Sequence, residues 1–91
     1  MNKTKAFSVL SRAINVEQIR MDEPMSAHSS IKVGGLADIY TEPENSGELQ
    51  TIIAACRDYQ FPFYVIGRGT NLIVRDKGIR GVVISTVDRM R

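Results

Sequence analysis

The sequence predicts an α/β fold in which helices flank a small, mostly parallel β-sheet. Its 91 residues are enough for one small domain with a modest core. Between residues 36 and 66, a strand pattern, an amphipathic helical pattern and a second strand pattern follow one another. That order is typical of a βαβ unit, in which the two strands run parallel and the crossover is right-handed.

The amino-terminal part of the chain is predicted to begin with a helix and to continue without regular structure. The apolar residues that stand at helical spacing here are Phe7, Leu10 and Ile14. The stretch 21–30 contains an aspartate, a proline and three serines, which predicts an irregular lead-in. We therefore divide the chain into a helix with its lead-in over residues 1–27 and a folded subdomain over residues 28–91.

The βαβ unit is predicted from three successive patterns. Residues 36–41 carry β-favouring side chains and stop before Pro43, as a short strand does. Asn45 then stands at a helix N-cap position, and Glu48 three residues later completes a capping box. One apolar helical face follows, formed by Leu49, Ile52, Ile53 and Cys56. The nearly continuous apolar run 61–66 predicts a strand that is covered on both faces.

Two further strands are predicted in the last third of the sequence. Leu72-Ile73-Val74 forms a short apolar run after a glycine-rich segment, and residues 81–85 form another. Asp76-Lys77-Gly78 between them has the composition of a turn.

Composition and charge exclude several classes of protein. A formal net charge of +2 gives no support for a nucleic-acid or membrane partner. The single cysteine, Cys56, excludes an internal disulfide, and its place on the apolar helical face predicts a small buried residue rather than a nucleophile. The amino terminus lacks the continuous apolar stretch of a secretion signal, and no stretch is long enough to span a membrane. We therefore predict a cytoplasmic protein.

The segment Gly67-Arg68-Gly69-Thr70-Asn71 is the candidate binding loop, because it joins two apolar strand patterns. Glycines let the backbone adopt positive φ and let a ligand approach without a Cβ in the way. Successive N–H groups in such a turn form a concave anion site suited to a pyrophosphate. Thr70 adds a hydroxyl donor and Asn71 can bond back to the main chain, whereas Arg68 is interpreted as an exposed loop residue.

Two better-known nucleotide motifs do not fit this loop. The Rossmann fingerprint needs a third glycine and an immediate helix, but Leu72 stands at the third glycine's position and an apolar strand pattern follows. The P-loop needs Gly-Lys-Ser/Thr, which is absent. From the residues alone, a plain hairpin or crossover turn is as well supported as a phosphate site.

A second candidate segment, Ile31-Lys32-Val33-Gly34-Gly35, precedes the first strand of the βαβ unit. Its adjacent glycines permit either the close approach of a cofactor or simply a tight bend, and the bend is favoured when the segment is taken alone. His28 is the only histidine and has no cysteine or acidic partner at ligand spacing. We interpret it as a loop residue and predict no metal site.

Four segments match a known family in their order and spacing. They are His28–Asp38, Glu42–Pro43, Gly67–Val74 and Gly78–Ile84. Together they resemble the amino-terminal part of the UDP-N-acetylenolpyruvoylglucosamine reductase family. Two departures are visible, because Thr70 replaces the more usual serine and Leu36 stands where proline is common.

This resemblance implies that the chain is the first subdomain of a two-lobed FAD-binding domain. The backbone of Gly67–Asn71 would then hold the FAD pyrophosphate, with Thr70 and Asn71 as the most specific contacts. The segment Ser30–Gly35 would lie near the cofactor as a second contact. The cofactor-binding residues implied in this way are Ser30, Lys32, Gly34, Gly35, Gly67, Arg68, Gly69, Thr70, Asn71 and Leu72.

The resemblance also implies a reaction in peptidoglycan synthesis, and hence in cell-wall biogenesis, cell shape and cell division. The family uses NADPH and FAD to convert UDP-N-acetylglucosamine enolpyruvate to UDP-N-acetylmuramate. Its catalytic arginine, serine and glutamate come from later in the chain, so we expect no catalytic residue here. The sequence resembles a fragment that lacks the second flavin subdomain and the substrate domain, and we expect it to be inactive alone.

The sequence also allows two alternative functions, and it suggests that the chain associates with itself. The chain could be a fragment of another FAD-dependent oxidase or dehydrogenase with the same flavin-binding fold. It could also be a non-catalytic nucleotide-binding module. A fragment of a multi-lobed enzyme exposes apolar surface, which makes self-association a further expectation.

Overall fold

The computed structural model describes residues 1–25, 35–67 and 78–90. In chain order its elements are helix α1 (Lys3–Ser11), a 3₁₀ turn (Val16–Gln18), strand β1 (Ile19–Pro24), strand β2 (Leu36–Thr41), helix α2 (Ser46–Asp58), strand β3 (Phe63–Ile66) and strand β4 (Ile79–Ser85). The strands form one four-stranded sheet in the order β1-β2-β4-β3. No helix within the described ranges is both long and apolar enough to cross a membrane.

The sheet is mostly parallel, as the sequence predicts. Strands β2 and β3 each pair in parallel with β4, and β1 pairs antiparallel with β2. Helix α2 therefore connects two parallel strands, between which β4 is inserted. The predicted α/β class, the strand over residues 36–41 and the amino-terminal helix are confirmed.

Both helices pack on the same face of the sheet. Adjacent residues of a strand point to opposite faces, so Val82 and Ile84 face the helices while Val83 faces the other side. The buried residues of the helix-side cluster are Ala6, Leu10, Ile14, Ile19, Ile39, Ile52, Cys56, Phe61, Val82 and Ile84. Those of the second cluster are Met25, Ala37, Tyr40, Ile66 and Val83. The predicted burial of Cys56 on the apolar face of α2 is confirmed.

The amino terminus of α2 is capped much as predicted, with one difference. The Asn45 side chain accepts a hydrogen bond from the Glu48 N–H at 2.9 Å. The Glu48 carboxylate, however, accepts from the Glu44 N–H at 2.9 Å and not from Asn45. The buried Gln18 side chain donates to the same carboxylate oxygen at 2.9 Å, so this oxygen is shared by two donors. Both bonds lower the pKa of Glu48, and the bond from Glu44 has the larger effect.

Gln18 links the amino-terminal segment to the region between β2 and α2. Its side chain is fully buried, and its amide nitrogen also donates to the Glu42 carbonyl at 2.8 Å. The Glu42 N–H donates in turn to the Gln18 carbonyl at 2.9 Å. A buried amide needs such partners, because an unpaired one costs about 1–3 kcal/mol. The segment before β1 is therefore fixed to the end of β2 by side-chain and main-chain bonds.

The prediction that residues 21–30 are irregular is wrong for residues 21–24. These residues belong to β1, which pairs with β2 from Ile19↔Thr41 to Pro24↔Leu36. Asp22 has φ +53° and is skipped in this pairing, so the strand is locally distorted. The lead-in proposed for residues 1–27 thus contributes a strand to the sheet, and the division at residue 28 stays a prediction.

The prediction that the apolar run 61–66 is covered on both faces is also wrong. Strand β3 begins at Phe63 and lies at the edge of the described sheet, where Tyr64 and Val65 are each 45% exposed. Because β4 takes the position beside β2, β3 has one neighbour among the described strands. An apolar run does not reveal this order, since it has the same composition at an edge as in the centre.

The last predicted strand is confirmed, with two additional residues at its start. Residues 81–85 lie in β4, which begins at Ile79. Gly78 precedes it with φ +78°, consistent with the predicted turn. The predicted strand 72–74 and the first two residues of that turn lie outside the described residues.

Candidate cofactor site

The carboxyl ends of the three parallel strands β2, β3 and β4 lie at the same end of the sheet, which we call the carboxyl edge. Thr41, Ile66 and Ser85 are the last residues of β2, β3 and β4, and the latter two are direct partners. Ligands of open parallel sheets bind outside the carboxyl ends of the strands, where loops and unpaired main-chain groups converge. This carboxyl edge is therefore the first place to look for a binding site.

Gly67 stands at the carboxyl edge, immediately after β3. The carbonyl of Ile66, directly before it, accepts a bond from the Thr86 N–H at 2.9 Å and another from the Thr86 hydroxyl at 3.0 Å. A Cβ placed on Gly67 would lie 3.1 Å from the Thr86 Oγ1, which is closer than ordinary van der Waals contact. The start of the predicted binding loop thus follows a carbonyl that is bonded to Thr86, the residue after β4, and it has little space for a side chain.

Gly35 occupies the opposite end of the sheet. It directly precedes β2, has φ +134°, and its carbonyl accepts a hydrogen bond from the Met25 N–H at 2.9 Å. Since β2 and β3 run parallel, the amino end of β2 and the carboxyl end of β3 lie about 20 Å apart along the strands. The structure does not bring Gly35 and Gly67 together.

The other residues implied as cofactor contacts lie outside the described residues. They are Ser30, Lys32, Gly34, Arg68, Gly69, Thr70, Asn71 and Leu72. Their roles stay predictions. The positive φ of Gly35 favours glycine and agrees with the predicted bend in its segment.

An ion-pair cluster that the sequence did not predict occupies the carboxyl edge beside β2. Glu42 follows β2 directly and is buried, and its Oε1 lies 3.6 Å from an Arg20 nitrogen and 3.5 Å from the Arg89 Nε. The Glu42 charge is the main cause of the raised pKa of Arg20. These pairs fix the segment after β4 against the end of β2.

A side-chain hydrogen bond also joins β2 to the segment after β4 at the carboxyl edge. The Tyr40 hydroxyl donates to the Asp88 carboxylate at 2.6 Å, and burial, followed by this bond, raises the pKa of Tyr40. In the sequence, the cluster is indicated only by the dipeptide Glu42-Pro43, which follows a predicted strand. Its partners could not be predicted, because they come from β1 and from the segment after β4.

Cys56, the only cysteine of the chain, is not an accessible nucleophile. Burial raises the pKa of Cys56 to about 11, so its thiol stays protonated at neutral pH and is enclosed between helix and sheet. Within residues 1–25, 35–67 and 78–90, no group of three or more histidine, cysteine or acidic side chains is placed to hold a metal ion. The carboxyl edge offers main-chain groups, hydroxyls, a glycine and the charged side chains of the ion-pair cluster.

Comparison with known protein families agrees with this interpretation of the edge. A family model described as an FAD-binding domain matches residues 37–91, which include β2, α2, β3, β4 and the whole carboxyl edge. The chain belongs to the FAD-binding domain family. FAD is thus the cofactor to be considered at the edge.

Two curated relatives of this FAD-binding domain have the same name. The chain is 43% identical over 89 residues to the UDP-N-acetylenolpyruvoylglucosamine reductase of Alkaliphilus oremlandii, covering 98% of the chain and 29% of the relative. It is 42% identical over 88 residues to the reductase of the same name from Clostridium kluyveri, covering 96% and 29% respectively. The resemblance predicted from the sequence is confirmed, and the chain spans about 29% of the length of these relatives.

Of the predicted phosphate loop the structure describes only its first residue, Gly67, which directly follows β3. A phosphate can approach main-chain N–H groups closely only where no Cβ intervenes. Gly67 has no Cβ, and a side chain is disfavoured there because the Thr86 hydroxyl fills the space that it would need. The strand that precedes it ends on a carbonyl held by two hydrogen bonds, which gives the loop a fixed point of departure.

Proposed function

We propose that this chain is the part of a UDP-N-acetylenolpyruvoylglucosamine reductase that binds the pyrophosphate of FAD. The single observation that carries this proposal is the position of Gly67, at the carboxyl edge of the sheet and at the start of the predicted phosphate loop. The match to an FAD-binding domain over residues 37–91 and the name shared by the curated relatives support it.

In this proposal the chain binds FAD and orients it, and it supplies no group that moves a proton. Main-chain N–H groups from Gly67 to Asn71 and the Thr70 hydroxyl hold the pyrophosphate. Ser30, Lys32, Gly34 and Gly35 form a second contact segment, which meets another part of the cofactor because Gly35 lies at the opposite end of the sheet from Gly67. When bound, FAD supplies the capacity to accept and donate a hydride. The sheet would orient the phosphates, because the Ile66 carbonyl before Gly67 is bonded to Thr86, the residue after β4.

The activity that we propose for the longer protein is the one that the relatives' name describes. The longer protein would reduce the enolpyruvyl group of UDP-N-acetylglucosamine enolpyruvate to give UDP-N-acetylmuramate for peptidoglycan synthesis, with NADPH as the hydride donor and FAD as the cofactor that the family uses. A cytoplasmic location is part of this proposal, because the proposed nucleotide-sugar substrate and NADPH are cytoplasmic metabolites. The 91-residue chain alone is expected not to oxidise NADPH, because it spans only 29% of the relatives' length and the resemblance assigns the second flavin subdomain and the substrate domain to the remainder.

Titration of the chain with flavins tests the binding half of the proposal. FAD should bind at least about 10-fold more tightly than riboflavin, because charge-assisted hydrogen bonds to phosphate contribute about 1.5–3 kcal/mol each. Quenching of flavin fluorescence gives both dissociation constants, and NADPH absorbance in the same samples reports any turnover. Equal affinity for the two flavins, or no flavin binding, would contradict a phosphate cradle in this chain.

Self-association of the chain is a further proposal, which rests on the edge strand β3. Tyr64 and Val65 are exposed there, and edge strands with apolar side chains and no charge readily pair with other strands. Sedimentation velocity at several chain concentrations measures this. We expect a concentration-dependent shift towards dimers, which Val65→Lys should reduce because a charged edge opposes pairing. A monomer at all concentrations would contradict the proposal.

A further inference from the structure

The register of β3 and β4 brings Thr86 against the start of the predicted binding loop. Ile66 and Ser85 are the last paired residues of these strands, and Thr86 is the first residue beyond the pair. Its main-chain N–H continues the hydrogen bonding of the parallel ladder to the Ile66 carbonyl at 2.9 Å. This bond depends only on the backbone, so any residue other than proline at position 86 could make it.

The hydroxyl of Thr86 makes a second bond that the ladder does not require. Oγ1 donates to the same Ile66 carbonyl at 3.0 Å, so one residue holds both acceptor positions of the last carbonyl of β3. The same oxygen lies 3.1 Å from the position of a Cβ on Gly67. Thr86 therefore fixes the carbonyl before the loop and borders the first residue of the loop.

Fixing this carbonyl also fixes the peptide plane that leads into the loop. The Ile66 C=O and the Gly67 N–H belong to one planar trans unit, so the orientation of the first determines that of the second. A glycine has the widest choice of φ and ψ, and an external restraint matters most at such a residue. The Thr86 hydroxyl therefore adds a second restraint on this peptide to the one that the main-chain bond supplies.

We propose that Thr86 is a positioning residue for FAD, acting through the peptide between Ile66 and Gly67. This inference rests on the proposed function, since it assumes that the loop beginning at Gly67 holds the pyrophosphate. Thr86 acts through its hydroxyl and is distinct from the loop residues that the resemblance implies as contacts. Its link to β3 exists only because β4, which comes later in the chain, lies beside β3.

Two substitutions at Thr86 separate the hydroxyl from the shape of the side chain. Thr86→Val keeps the branched shape and removes the donor, whereas Thr86→Ser keeps the donor. We expect Thr86→Val to weaken FAD binding about 3- to 10-fold, as the loss of one hydrogen bond allows, and Thr86→Ser to stay within about 2-fold of the unaltered chain. Thr41→Val is a matched control, because the Thr41 hydroxyl makes the equivalent bond to the Val83 carbonyl at 3.0 Å on the strand farther from Gly67.

A measurement without flavin completes the test. In NMR spectra of the ligand-free chain, the chemical shift of the Gly67 amide should change in Thr86→Val. It should match that of the unaltered chain in Thr86→Ser and Thr41→Val. Unchanged FAD affinity in Thr86→Val, or an unmoved Gly67 resonance in that variant, would overturn the inference. Failure of the unaltered chain to bind FAD would instead contradict the proposed function, and the Gly67 resonance would still decide whether Thr86 positions the peptide. Unfolding midpoints of all variants identify a loss of fold.

Discussion

Replacing Gly81 with alanine is expected to lower the free energy of unfolding by about 3 kcal/mol. Gly81 lies in β4 with φ +154°, which side-chain-bearing residues rarely adopt. A Cβ there would lie 2.6 Å from the Pro62 carbonyl oxygen. That carbonyl cannot simply move away, because it accepts a hydrogen bond from the Val82 N–H at 2.8 Å. Urea denaturation followed by circular dichroism measures the loss.

Gly47→Ala is the matched control for Gly81→Ala. Gly47 lies in the first turn of α2, where a Cβ would contact only the Asn45 side chain, at 3.2 Å. Alanine also has a higher helix propensity than glycine, so the change in stability should stay within about 1 kcal/mol. Equal stability of Gly81→Ala and the unaltered chain would show that β4 can move away from Pro62.

Replacing Gly69 with valine is expected to weaken FAD binding by roughly 30- to 100-fold. A branched side chain in the predicted phosphate loop would keep the pyrophosphate away from the main-chain N–H groups, and losing one charge-assisted hydrogen bond has about this effect. Fluorescence titration with FAD measures the dissociation constant. Gly69 lies outside the described residues, so this variant tests the part of the site that is a prediction.

Riboflavin separates a local effect of Gly69→Val from a general loss of the site. Since riboflavin has no phosphate, its weaker binding should be the same in Gly69→Val and in the unaltered chain. The unfolding midpoint should also stay close to that of the unaltered chain. A variant that binds FAD as tightly as the unaltered chain does would show that the pyrophosphate is held elsewhere.

Local sequence patterns were sufficient for the elements that form through local interactions. Helix α2 could be predicted because its N-cap and its apolar face both lie within one continuous stretch, and β2 because Pro43 follows it closely. The burial of Cys56 follows from the same helical spacing. The capping contact of Glu48 was predicted only in part, because Gln18 approaches from a segment far away in the sequence.

Elements that depend on distant partners were not predicted. The charged residues and the proline of β1 look like a loop, and the segment is a strand because β2 pairs with it along one edge. Likewise, the composition of β3 gives no sign that β4 would take the central place beside β2. Tertiary pairing decided both outcomes, as is common for strands.

The same distinction applies to the candidate site. Gly67 was found from the sequence because a glycine between two apolar runs has a clear local meaning. Thr86 could not be found in this way, because its role depends on the register between β3 and β4. The cluster of Arg20, Glu42 and Arg89 depends equally on three separate segments that meet at the end of β2.

The insertion of β4 between β2 and β3 has a consequence for synthesis on the ribosome. Both partners of β4 emerge earlier than β4 itself, and neither can complete its parallel ladder until residues 79–85 follow. At a translation rate of about 5–20 residues per second, the interval between the end of β3 and the end of β4 is roughly 1–4 seconds. During that time the apolar edges of the nascent strands lack their common neighbour, which is when a nascent-chain chaperone would have most to protect.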